Sequence, residues 1–183
     1  MEVKGVLRVV IADDEAVIRM GLSHMVTTLG HRVVATAANG DEALETVKRL
    51  KPDLLLLDIK MPEKDGLTVA EILAGEMPLP IVMLTAYSER SLIERAANAS
   101  VMGYLVKPIH ENKLEPTIEL AISRFEVMQH TAREAYKLRG QLETRDLVSA
   151  DTPGMPISPP LKSGVIQTIP WRIIGKARVA RAK

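Results

Sequence analysis

Hydrophobic residues in this chain gather in short runs that alternate with stretches of helical periodicity. Val9-Val10-Ile11-Ala12, Leu54-Leu55-Leu56-Leu57, Ile81-Val82-Met83-Leu84 and Tyr104-Leu105-Val106 are almost uninterrupted apolar runs. Runs of this kind, flanked by helical patterns, predict strands buried on both faces of a parallel sheet. Between the first two, Val17, Ile18, Leu22, Met25, Val26 and Leu29 fall at helical spacing, with Gly30 as a stop. Residues 32–38 read as a second strand and Asn39-Gly40 as the turn after it. Asp41 is expected to cap a helix to about Leu50, with Ala43, Leu44, Val47 and Leu50 on its inner face. Pro52 stops that helix. Met61-Pro62-Glu63-Lys64-Asp65-Gly66 reads as a loop, 67–73 and 88–97 as helices, and 101–106 as the fifth strand. Five βα units in alternation predict an α/β fold, a doubly wound five-stranded parallel sheet with helices on both faces.

After Pro108 the pattern changes to one long helix, from Asn112 to about Val148. Its apolar stripe runs through Ile118, Ala121, Phe125, Met128, Ala132, Ala135, Leu138 and Leu142. A helix of roughly 50 Å outruns one face of a sheet, so the stripe is a coiled-coil candidate for a homodimer. From Ser149 the composition shifts again. Pro153, Pro156, Pro159 and Pro160 disfavour helix and predict a disordered tail over 149–183. The expected organisation is therefore a domain over 5–125, a helical linker over 126–148, and that tail.

Charge sharpens this division. The formal net charge is +1, but from Asp151 onward six Lys or Arg face one acid, so the tail carries +5 and the rest about −4. Hydrophobic residues make up 46% of the chain and aromatic ones 3%, so the core must be aliphatic. The chain has no cysteine, which excludes thiolate chemistry and fits a reducing, cytoplasmic setting. No apolar run reaches the roughly 18 residues of a membrane span. The first run ends in Asp13-Asp14 where a signal peptide needs small residues, so neither membrane nor export is expected.

The chemistry lies at the ends of the apolar runs. Asp13-Asp14, Asp58, Thr85 and Lys107 each follow one of them, and in an open α/β sheet sites form beyond the carboxyl ends of the strands. Clustered carboxylates suit a hard divalent cation such as Mg²⁺, which takes oxygen ligands and keeps several waters. Asp14 and Asp58 are the expected direct ligands, Asp13 a ligand through water, and Lys60 a donor through its backbone carbonyl. One carboxylate could then attack a phosphoryl group, with Lys107 neutralising charge and the Thr85 hydroxyl bonding phosphoryl oxygens. Singly, each feature has an ordinary explanation: Asp13-Asp14 could cap a helix, Asp58 could open a loop, Lys107-Pro108 could be a turn. Jointly they demand four coincidences at matching strand ends.

At these residues the chain resembles the receiver domain of two-component response regulators, a flavodoxin-like fold. The resemblance rests on Asp13-Asp14, Asp58 with Lys60-Met61-Pro62, Asp65-Gly66, Leu84-Thr85-Ala86 and Tyr104-Leu105-Val106-Lys107-Pro108. Their spacing agrees too, with 45 positions from Asp13 to Asp58 and 22 from Thr85 to Lys107. It implies that Asp58 is the phosphoacceptor for a cognate histidine kinase, with Thr85 and Tyr104 the switch pair. It also implies a cis Lys107-Pro108 bond. Glu15-Ala16-Val17-Ile18-Arg19-Met20, Leu84-Thr85-Ala86-Tyr87-Ser88, the run Ile118 to Phe125, and Leu142-Glu143-Thr144-Arg145-Asp146-Leu147-Val148 resemble ANTAR-type antiterminator regulators. That resemblance implies an RNA-binding helical bundle, but Ser149-Ala150-Asp151-Thr152-Pro153-Gly154 interrupts it. The output domain is expected to be truncated or replaced, and RNA binding to be weak.

Two other functions compete. One is a stand-alone receiver acting by protein–protein contact. The other is a phosphatase of similar fold, but the haloacid type needs Asp-x-Asp-x-Thr after the nucleophile, and here Asp58 is followed by Ile59-Lys60-Met61. The chain is therefore not expected to be a dedicated enzyme.

Overall fold

The computed structural model describes residues 5–86 and 101–148. Five strands, β1 (Arg8–Ala12), β2 (Arg32–Ala37), β3 (Leu54–Asp58), β4 (Ile81–Thr85) and β5 (Val101–Val106), form one sheet. Its order is β2-β1-β3-β4-β5, and every pairing is parallel. This is the doubly wound order with a crossover between β2 and β3. Four helices are described: α1 (Ala16–Thr28), α2 (Gly40–Leu50), α3 (Gly66–Glu76) and α4 (Glu111–Val148). The helix expected over 88–97 and the tail over 149–183 lie outside the described residues.

Burial follows from position in the sheet. The central strands β1, β3 and β4 are buried almost throughout, whereas edge strands β2 and β5 are only partly covered. Because side chains alternate along a strand, one run of four leucines feeds two cores. Leu55 and Leu57 join Val10, Ala12, Ile81 and Met83 against Ala43, Leu44 and Val47 of α2 and Val69, Ala70 and Leu73 of α3. Leu54 and Leu56 join Val9, Ile11, Val82 and Leu84 against Leu22 and Val26 of α1 and Leu114, Ile118 and Ala121 of α4.

Two expectations change. The cap of α2 is Asn39 and not Asp41: the Asn39 side chain accepts from the Glu42 N–H at 2.8 Å, and Asp41 falls inside the helix. Either residue type can cap, and the extended backbone at Asn39 decides which does. The third helix also starts at Gly66 and runs to Glu76, because the Asp65 side chain accepts from the Thr68 N–H at 2.7 Å and caps it early.

The apolar stripe of α4 divides in two. Ile118 and Ala121 are buried in the sheet's own core and Phe125 packs beside them, so this half covers the strands. Met128, Ala132 and Ala135 are exposed. The chain divides into two units after Gly140, and of the second the described residues are the end of α4, to Val148. Among the described residues no helix is long and apolar enough to cross a membrane.

Candidate functional site

Parallel pairing brings the strand ends to one rim. Ala12 pairs with Leu57, Asp58 with Leu84, and Thr85 with Val106, so the residues that follow each run emerge side by side. Asp13 and Asp58 are buried there, with 0% and 4% of their surface exposed, while Asp14 is exposed. Each of the three offers a carboxylate oxygen, and these oxygens lie within 4.8 Å of one another. Like charges this close need compensation, and Lys107 supplies it. Its Nζ lies 2.8 Å from Asp13 Oδ2 and 2.7 Å from Asp58 Oδ1, with Glu15 Oε1 further off at 3.8 Å.

The backbone fixes these groups. Asp13 N–H donates to Ala37 O across to β2, and Asp13 Oδ1 accepts from the Glu15 N–H at 3.0 Å. Ile59 N–H donates to Leu84 O, and Lys107 N–H to Thr85 O. The Lys60 N–H bonds the Asp58 carboxylate. Gly66 N–H reaches back to Ile59 O at 2.8 Å, and a Cβ at Gly66 would stand 2.0 Å from Asp58 O. Within the same loop, a Cβ at Gly40 would meet Lys64 O at 2.2 Å, and Lys64 pairs with Asp41. Two glycines thus let the 59–65 loop close against the phosphoacceptor candidate on one side and α2 on the other. The Lys107-Pro108 bond is cis, as the resemblance implied.

Burial shapes the electrostatics. Desolvation raises the Asp58 carboxyl above its ordinary value and the Asp13 charge adds to this, against the opposing pull of Lys107. Burial alone would lower Lys107, but its bonds to Asp13 and Asp58 and their charges outweigh it and raise the ammonium. The carboxylate is thus the strained partner and the lysine the satisfied one. Burial also raises the Tyr104 phenol.

The structure brings Asp13, Asp14, Asp58 and Lys107 together as the sequence predicted. Thr85 is buried at the same rim, its hydroxyl donating to Ala86 O at 3.0 Å. Tyr104 sits on β5 opposite Met83 of β4, on the sheet face that Thr85 shares. Two residues escaped the sequence reading. Glu15 approaches Lys107, and Arg19 Nη1 donates to the carbonyls of Asp13 at 2.6 Å and Asp14 at 3.0 Å. The signal for Arg19 was its place one helical turn past Glu15, which nothing marked as facing backwards.

The donor set fits a hard divalent cation. Three carboxylates converge, and the fully buried Asp13 Oδ2 has the Lys107 ammonium at 2.8 Å as its charge partner. One ammonium does not balance three carboxylates, and a hard divalent cation taking oxygen ligands would supply the remaining charge.

Comparison with known proteins gives the chain a family and relatives. The response regulator receiver domain family matches residues 9–119. The chain is 48% identical over 141 residues to the transcriptional regulatory protein PdtaR of Mycobacterium tuberculosis, covering 77% of this chain and 69% of that one. It is 35% identical over 108 residues to the chemotaxis protein CheY of Thermotoga maritima, covering 58% of this chain and 90% of the other. Among solved structures, the REC domain of AraT, a response regulator from Geobacillus stearothermophilus, superposes with a TM-score of 0.61 at 34% identity. That match covers 68% of this chain and 99% of the other.

Proposed function

The chain belongs to the response regulator receiver family, a signalling module of two-component systems, and from that premise we propose that Asp58 accepts a phosphoryl group from a histidine kinase. The observation that carries this reading is the convergence of Asp58 with Asp13, Asp14 and Lys107 at one rim of the sheet. Asp58, Asp14 and the Lys60 carbonyl would hold Mg²⁺, with Asp13 acting through water. Bound there, the ion supplies neutralisation of the carboxylates and of the incoming phosphoryl oxygens.

In the transfer, an Asp58 carboxylate oxygen forms a bond to phosphorus while the bond to the donor nitrogen breaks and its electron pair returns to the imidazole. Lys107 is already within reach of Asp58, and its ammonium transfers from carboxylate to phosphoryl oxygens. The Thr85 hydroxyl turns to the same oxygens, and Tyr104 follows into the space it leaves, which makes the pair a two-state element.

Residues 5–125 act as the receiver and 126–148 as a helical linker through which two copies associate by Met128, Ala132 and Ala135. The ANTAR-like segments support a lineage among antitermination regulators. The interruption at Ser149 to Gly154 favours a second reading, a receiver that signals by protein contact alone. Acetyl phosphate with Mg²⁺ tests the first step. Intact mass should show one added phosphoryl group in the wild type, and none in Asp58→Asn or with chelator. Equal labelling of that variant would assign the chemistry elsewhere.

A further inference from the structure

Arg19 lies outside the carboxylate cluster, yet it is bonded to the backbone that carries it. β1 ends at Ala12, and the first carbonyl to accept a bond within α1 is Glu15 O, from the Arg19 N–H. The carbonyls of Asp13 and Asp14 therefore fall between sheet and helix, where neither ladder offers them a donor. The α1 cap gives no help, since Glu15 makes no side-chain cap bond. The half-buried Arg19 side chain folds back over the first turn, and its Nη1 spends one N–H on each carbonyl, at 2.6 and 3.0 Å.

Fixing two successive carbonyls fixes the two peptide planes around Asp14, and with them the directions in which the Asp13 and Asp14 side chains leave the backbone. The Asp13 carboxylate is held a second time by the Glu15 N–H on Oδ1, but the exposed Asp14 depends on its backbone alone among these contacts. We propose that Arg19 is a positioning residue for cation binding: it aims the acidic pair at the ion without touching the ion. This rests on the Mg²⁺ reading above and adds to it a role for a residue that the metal chemistry itself never required.

Sign separates this role from simple electrostatics. Arg19 is a cation beside a site for a cation, so by charge alone its removal should tighten Mg²⁺ binding. As a positioning residue its removal should weaken binding, by roughly tenfold for a supporting residue of this kind. Lysine keeps the charge, but its arm is shorter and its ammonium rotates freely, where the guanidinium plane holds both Nη1 protons in fixed directions, so Arg19→Lys should fall between. Charge alone predicts no change for that variant.

Calorimetric titration with Mg²⁺ of the wild type, Arg19→Met, Arg19→Lys and Asp14→Asn decides it, at a temperature well below each melting point. Binding by the wild type and its loss in Asp14→Asn would uphold the metal reading independently of Arg19. Weaker binding by Arg19→Met, with Arg19→Lys intermediate, supports the positioning role; equal or tighter binding by Arg19→Met overturns it. Should Arg19→Met fail to fold by circular dichroism, Arg19→Lys decides alone by the same criterion. A wild type that binds no Mg²⁺ overturns both the inference and the reading beneath it.

Discussion

Strand β3 and helix α4 are both marked in the sequence by regular apolar spacing, but their surroundings treat that spacing differently. Leu54, Leu55, Leu56 and Leu57 are each 0% exposed. Along α4, Leu114, Ile118 and Ala121 are buried, Phe125 is half-buried, and beyond it Val127 is 64% and Met128 39% exposed. A central strand has neighbours on two sides and helices on two faces. A helix that begins on a sheet keeps its cover only as long as the sheet lasts. The comparison extends to charge. The buried end of β3 holds Asp58 beside a lysine, a threonine and two further carboxylates, whereas the exposed length of α4 holds solvated pairs such as His130 with Glu134. Chemistry settles where neighbours are fixed.

The largest expected effect tests that contrast directly. Leu56→Ala should cost about 2–5 kcal/mol, because the cavity lies where little can relax. Met128→Ala should stay within about 0.5 kcal/mol in the monomer. Urea unfolding at low protein concentration measures both. A loss at Met128 comparable to that at Leu56 would show that the exposed half of α4 is covered in solution.

The next test makes one substitution in two settings. Gly66→Ala places a Cβ 2.0 Å from Asp58 O, a backbone atom that cannot yield cheaply, and should destabilise by about 1–3 kcal/mol. Gly21→Ala, in the interior of α1 with nothing within 4 Å, should stabilise by about 0.5–1 kcal/mol. Thermal melts of the two variants should shift in opposite directions; shifts of the same sign would break the distinction between packed rim and open helix.

The smallest effect is one of pH. Burial raises the folded Asp58 carboxyl above its ordinary value of 3.8, so the folded state holds this proton to higher pH than the unfolded chain does. Its contribution to stability is fully present below that ordinary value and is lost as pH rises through the folded pKa. Asp58→Asn should therefore melt higher than the wild type at pH 7, with the gain shrinking as pH falls through the raised folded pKa and gone below about 3.8. A variant less stable at neutral pH would mean that the Lys107 pair outweighs the desolvation of Asp58.

Much of the fold was legible because strands buried on both faces leave unbroken apolar runs, and runs alternating with helical stretches admit few topologies. The site was legible for a related reason. A parallel sheet gathers strand ends on one rim, so Asp13, Asp58, Thr85 and Lys107 were bound to meet once the runs before them were strands. Tertiary structure decided the rest. Asn39 and Asp41 cap equally well as residue types, and the path of the chain leaving β2 chose between them. Gly66 and Gly40 were legible as turn residues, but the backbone each must admit comes from elsewhere in the chain. The stripe from Ile118 to Ala135 has one period, and only the extent of the sheet shows where its cover stops. Periodicity says which face a residue is on; it cannot say what stands opposite. That is why Lys107 on two carboxylates and Arg19 on two carbonyls had to be seen in three dimensions.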